Sequence, residues 1–504
     1  MILRLFLLAC LLPAMAAEAR VLFIGDGGYA GLEAAAADAR PGDTIMFRSG
    51  VFAGGAFVAD LQGRPDAWIT ITGEAGARIQ GGTSAFQLTD PAYLRISGLV
   101  FEGQTGNGLN IDDGGSYDTP ARHLLIENCE WRSLAATGNN DQLKMSGVDS
   151  FTVRNCRFVD GSPGGSMIDM VGCHAGAFEN NTFENAGSNC IQAKGGTQYI
   201  RIERNRFFRG GQRAINIGGS TGLPYFRPID APFEASHIFV AANVFTGAVA
   251  PIAYVGAVNC AVVHNTIYLP EKWVVRILQE STDARFVACG NNTFMNNIIV
   301  LGNAAAAPTF NIGANTAPET FQFRNNLWYN VDNAAWGGPN TPTPDLESIV
   351  GRDPLLRAPA MSGGDFGLES SSPAIGRGTP MSAPLVDFLG RPFNVPPSIG
   401  AVEGNPPVSG IIGSSAPETV TLELYPQPAR SVVNVSLDGL RPGLLQLVVF
   451  DLSGRMLLWR SVETATASQT LRLDLAGARL APGVYRLLVS DGTQSVYRPL
   501  LILR

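Results

Sequence analysis

The chain has 504 residues, of which only 16% are charged, and it carries 58 glycines and 32 prolines. That length admits two or more domains with a large core, and that composition excludes both a long-helix protein and a disordered one. A net charge of −7 with no long basic run argues against nucleic acid as the partner, although local patches of opposite sign leave an anionic glycan open.

The first 19 residues, MILRLFLLACLLPAMAAEA, combine Arg4, an apolar stretch and small residues at Ala16, Ala17 and Ala19. This pattern reads as a secretory signal peptide. No other stretch approaches the ~18 apolar residues of a membrane helix, so an exported chain without a transmembrane segment is expected. ADARPGDTIMFRSGVF, WITITG and YLRISGLVFEG follow as short alternating runs between turns.

A repeat then takes over. IENCEW, VRNCRF, FENNTF, IERNRF, AANVF, VVHNTI, CGNNTF and FRNNLW recur at intervals near 24 residues, the signature of a solenoid in which each repeat is one coil. One column is expected to hold Cys129, Cys156, Asn181, Asn205, Asn243, Asn265, Asn292 and Asn325. Coils stack at the strand spacing of about 4.8 Å, so asparagines in that column can bond up and down the stack. Cys129 and Cys156 begin the column and are expected to be buried space-fillers.

A second strand precedes each of these segments: LNIDD, LKMSG, IDMVG, IQAKG, INIGG, IAYVG and RILQE. Alternation at period two points every other residue outward. One outward column then reads Asn110, Lys144, Asp169, Gln192, Asn216, Ala253 and Arg276; the next reads Asp112, Ser146, Val171, Lys194, Gly218, Val255 and Leu278. Of 36 lysine and arginine residues only three are lysine, and two of them, Lys144 and Lys194, fall on this one face; Lys272 is the third.

The interval between Asn205 and Asn243 is about fourteen residues too long, and the excess lies in GGSTGLPYFRPIDAPFE. An insertion in one coil becomes a loop on one face, often the binding face. Its Tyr225 and Arg227 suit sugar rings and carboxylates. Together with Asp169, Gln192, Asn216 and Arg276 they form the expected substrate-binding set. Downstream, DPLLRAPAMSGGDFGLESSSPAIGRG and DFLGRPFNVPPSIGAVEG stand where a solenoid needs a closing cap. Residues 405–418 read as a Pro/Gly/Ser-rich linker, and the short alternating strands of 419–504 predict a small β-sandwich.

The capping segments and coils over residues 20–404 resemble secreted right-handed parallel β-helix proteins. The expected class is therefore all-β, a right-handed parallel β-helix solenoid followed by the small sandwich. In the tail, LYPQPA, FDLSGRML and LAPGVYRLLV resemble the C-terminal sorting domain of the type IX secretion system, with Gln427 where an asparagine is usual. That resemblance implies the type IX machinery as a partner and a secreted or surface-attached protein. A monomer is expected.

Secreted β-helix proteins include many polysaccharide lyases and hydrolases. A lyase acting on a uronate needs a base for the proton beside the carboxylate and a cation for the charge that develops. Lys194, with Val171 and Gly218 as stack neighbours and Arg213 nearby in sequence, is the expected base. Arg213 and Lys144 complete the catalytic set, Lys144 being held charged by Asp169. The segment also resembles the chondroitinase B and alginate lyase family, in which a lysine and an arginine on successive coils form the catalytic pair. Lys194 matches that lysine; Gly218 occupies the arginine's place, and the family's acidic calcium ligands have no clear counterpart. Asp112, Asp113 and Asp141 are candidate calcium ligands, calcium being the one cofactor in view. The alternatives are a glycoside hydrolase using the same acids and a non-catalytic glycan binder or adhesin. His174 is a candidate proton relay, and Arg276, Gln279 and Glu280 form another polar group.

Overall fold

Short runs in which every second residue is apolar can bury one side only by stacking on copies of themselves. The computed structural model describes residues 18–116, 118–381, 383–384 and 386–404. In the C-terminal part it describes 421–439, 443–450, 456–466, 468–475, 483–490 and 495–503. Residues 1–17 of the expected signal peptide and the expected linker 405–418 lie outside the described residues.

Each coil contributes a strand to three parallel sheets in turn. The first sheet starts with Val21–Ile24 and has 15 strands, the second starts with Gly50–Ala53 and has 12, and the third starts with Ala56–Ala59 and has 10. The result is a right-handed parallel β-helix of about thirteen turns. A short helix, Leu32–Asp38, covers the N-terminal end with Leu32 and Ala35 buried. Inside, the large apolar residue of each repeat stacks on the next. Trp131, Phe158, Phe183, Phe207 and Phe245 form a column with ring centroids 4.6–5.0 Å apart and planes within 8° of parallel.

The asparagine ladder is present, with two corrections. Asn181 Oδ1 accepts from the Cys156 N–H at 2.9 Å, and the same contact repeats upward through Asn205, Asn243, Asn265, Asn297 and Asn326. The expected Asn325 is one residue off. It is the left-handed turn residue before the ladder position, as are Asn128, Asn155, Asn180, Arg204, Ala242, His264 and Asn296, all with φ between 51° and 58°. The expected Asn292 belongs to another corner, where its Oδ1 accepts from the Cys260 N–H at 2.8 Å. The ladder ends on Asp345, which accepts from Trp328 Nε1 at 2.8 Å and from Asn326 Nδ2. Burial, against those two hydrogen bonds, pushes the Asp345 carboxyl up to about 6. All six described cysteines are buried free thiols.

In the third sheet the outward columns have the predicted register. Asn110 pairs with Lys144, Lys144 with Asp169, Asp169 with Gln192, Gln192 with Asn216, Asn216 with Ala253 and Ala253 with Arg276. Their neighbours Leu143, Met145, Ile168, Met170, Ile191, Ile215 and Ile217 point inward and are fully buried.

The C-terminal part forms a three-stranded and a four-stranded antiparallel sheet sharing a core that includes Leu422, Val433, Val435, Leu447, Leu487 and Val489. Residues 451–455 of FDLSGRML and 480–482 of LAPGVYRLLV lie outside the described residues.

Candidate active site

The third sheet makes the floor of a cavity of about 500 Å³ lined by Asp112, Asp113, Lys144, Ser146, Val171, Lys194, Thr221, Tyr225 and Arg227. Turn glycines bound one side of it. At Gly147, where φ is +65°, a Cβ would lie 2.0 Å from Asp113 Oδ2, so only glycine lets that carboxylate lie against the turn.

Both floor lysines are tied to one buried acid. Asp169 Oδ2 contacts Lys144 Nζ, and its Oδ1 lies 3.3 Å from Lys194 Nζ. Asp141 Oδ2 is a further 3.5 Å partner of Lys144, and its Oδ1 accepts from the Ser166 N–H at 2.8 Å. The acid side chains are only 2–3% exposed, whereas those of Lys144 and Lys194 are 22% and 14% exposed. The lysines therefore form the reachable surface and the acids lie beneath them. Burial opposes the charge on Lys144, but Asp169 and Asp141 outweigh it and raise its pKa. Burial and the charge of Asp169 push the Asp141 carboxyl up to about 6 against the pull of Lys144. Val171 and Gly218 are thus not the only neighbours of Lys194: Asp169 is shared by both amines.

Arg213, expected beside Lys194, is turned elsewhere. Its guanidinium donates to Asn216 Oδ1 at 3.2 Å and pairs with Glu280 at 2.8 Å. It is not part of the cavity lining. Arg276 lies farther along the floor, donating to Asn311 Oδ1 at 2.9 Å, with its guanidinium 4.9 Å from the Trp273 ring centre. Burial and the nearby Arg213 lower its pKa, with Glu280 partly offsetting them. Gln192 stays on the floor, where its Oε1 accepts from Ser166 Oγ at 3.3 Å.

The inserted loop is the cavity wall. Tyr225 is 69% exposed at its tip. Arg227 is mostly buried and acts as a strut: its guanidinium grips Asp149 through both oxygens at 2.7 and 2.8 Å and donates to the Gly172 carbonyl at 2.9 Å. His174 is held in the same knot. Its Nδ1 lies 3.2 Å from Arg227, and its Nε2 is within hydrogen-bond reach of the Gly196 and Arg227 carbonyls. These contacts make it a structural histidine rather than the candidate relay. Glu234, which sequence reasoning missed, is fully buried and anchors the loop at both ends. It accepts from the Gly195 N–H at 2.9 Å and from the Thr221 N–H and hydroxyl at 2.9 and 2.7 Å.

The candidate calcium ligands do not converge. Asp112 accepts from Asn110 at 3.2 Å and from the Gly114 N–H at 3.0 Å, Asp113 accepts from the Gly115 N–H at 3.0 Å, and Asp141 is bound to Lys144. Burial, partly offset by Gly115 and Arg227, raises the Asp113 pKa. Among the described residues no group of three His, Cys, Asp or Glu side chains could hold a metal ion. A calcium ion needs six to eight converging oxygens, so these three acids do not fit one.

Residues 84–267 match the family model described as "Right handed beta helix region", and residues 423–503 match "Secretion system C-terminal sorting domain". No curated protein matches the chain. Solved structures of similar fold include an alginate lyase from Paenibacillus sp. str. FPU-7, with 16% identity and a TM-score of 0.40 over 66% of this chain and 99% of that one. The pectate lyase Pel9A has 13% identity and a TM-score of 0.45 over 77% and 96%. The catalytic unit of a GH87 alpha-1,3-glucanase from Streptomyces thermodiastaticus strain HF3-3 has 15% identity and a TM-score of 0.37 over 63% and 64%. Among the described residues no helix is long and apolar enough to cross a membrane. The chain is a right-handed parallel β-helix that carries a secretion C-terminal sorting domain, and the protein is secreted or attached at the cell surface.

Proposed function

We propose that the protein is a polysaccharide lyase that cleaves a uronate-containing chain by β-elimination in the cavity above Lys144 and Lys194. The observation that carries this reading is the layering of the floor: two partly exposed amines over two buried carboxylates. Lys144, held charged by Asp169 and Asp141, meets the substrate carboxylate and stabilises the enolate that develops. Lys194 Nζ takes the proton from the carbon beside that carboxylate. The electron pair released forms the new carbon–carbon double bond, the bond to the glycosidic oxygen breaks, and water protonates the departing oxygen. Asp169 also contacts Lys144, so this buried carboxylate retains a cationic partner throughout the proton transfer. Tyr225 offers its exposed ring to the sugar.

The same layering argues against hydrolysis by Asp141 and Asp169. A glycosidase needs two carboxyls that reach the scissile bond, and these two lie under the lysines. The test is the mass of the oligosaccharides released from acidic polysaccharides. Elimination gives products lighter by one water than hydrolysis would; products carrying the full water would overturn the proposal.

A further inference from the structure

The floor is open for part of its length and then closes. From Asn110 to Lys194 the outward residues Asn110, Asp112, Lys144, Ser146, Val171, Gln192 and Lys194 retain solvent contact, and Asp169, 1% exposed, lies beneath the two lysines that contact it. On the next two coils the same columns are covered: Asn216 is 1% exposed and Ala253 and Val255 are 0% exposed, although they point away from the core. Two features cover them. The chain at Gly219 lies on the floor, so that a Cβ there would be 2.6 Å from Gln192 Nε2 and 3.3 Å from Lys194 Cδ. Beyond it the Arg213–Glu280 ion pair joins residues 67 positions apart, Arg213 at the start of its strand and Glu280 just past the end of Val275–Leu278. The bridge thus spans the floor over Asn216, to which Arg213 also donates. It is a cross-bar, and Ser281, the residue after Glu280, donates its hydroxyl to Glu234, the anchor of the loop.

We propose that the cleft is blind at this end and that it binds the terminus of an anionic polysaccharide, with Gly219–Thr221 and the Arg213–Glu280 bridge as the stop. This rests on the reading of the cavity as a polysaccharide site but not on its chemistry. A chain interior needs an exit on both sides of the lysines. Here the chain enters over Asn110 and Asp112, passes Lys144 and ends against the bar beyond Lys194. Cleavage in such a cleft releases one short product per encounter, and turnover follows the number of chain ends rather than the mass of polymer.

The test is binding stoichiometry, which is independent of turnover. Lys194→Ala protein is titrated with acidic polysaccharide fractions of defined length, and the saturating ratio is read by light scattering. A blind cleft gives one protein per chain at every length. A ratio that grows with length, or no binding at any length, would overturn the proposal. Glu280→Ala releases Arg213 from the floor and is expected to make the ratio grow with length; a ratio unchanged by that substitution would remove the bridge as the stop. If wild-type protein shows no elimination while the one-per-chain ratio holds, the chemistry fails and the blind cleft stands.

Discussion

Lys194 is the residue on which the chemistry turns. Its replacement by alanine removes the base and is expected to lower kcat by about 10²–10⁴-fold, the usual contribution of a positioned proton acceptor, with the folded state retained. Circular dichroism separates that loss from unfolding. Two buried groups give the stability opposite pH dependences. His264 is fully buried against Phe393, and burial lowers its pKa from 6.5 to about 3. The unfolded chain then binds the extra proton, so its contribution is present above 6.5 and is lost as pH falls toward 3. Asp141, raised from 3.8 to about 6, acts in reverse: the folded chain holds the extra proton, and stability is lost as pH rises through that window. His264→Gln should flatten the fall in Tm on acidification, while the Tm of Asp141→Asn relative to wild type should rise with pH across the Asp141 window. Parallel pH curves for variant and wild type would contradict either assignment.

At the scale of elements, the ladder and the loop separate what the sequence made legible from what it did not. The third-sheet columns were readable residue by residue because parallel stacking preserves register, so Lys144, Asp169 and Gln192 could be aligned from spacing alone. The ladder was readable as far as Asn265. In Asn325–Asn326 one supplies the left-handed turn and the other the buried amide, and spacing alone did not distinguish them. Asn292 misled because a second corner of the coil uses the same residue type. Nothing local told that Arg227 folds back onto Asp149 or that Glu234 pins the insertion, since both partners lie on other coils. Position in the loop suggested Arg227 as a sugar contact; its buried bidentate pair makes it a strut. Asn265→Ala would leave the Asn243 N–H and amide without their acceptor and should cost about 2–4 kcal/mol, read by denaturant unfolding. Arg227→Ala removes both guanidinium bonds from Asp149 and frees the wall, and should raise KM more than it lowers kcat.

For the whole molecule, the main core of the β-helix, from Leu22 to Trp328, shares no residue with the C-terminal core, from Leu422 to Ile502. A chain ending at residue 404 should therefore keep the thermal transition and the activity of the β-helix and lose its delivery to the cell surface or medium. Retained delivery without residues 405–504 would contradict the role of the sorting domain. Elimination by two lysines above two buried acids would leave an unsaturated sugar at each new chain end. The most direct measurement is the ultraviolet absorbance of the unsaturated sugar end as the protein acts on a panel of acidic polysaccharides. A steady rise is expected on at least one of them and none with Lys194→Ala. Reducing ends accumulating without absorbance, or a rise undiminished in the variant, would contradict elimination by these lysines.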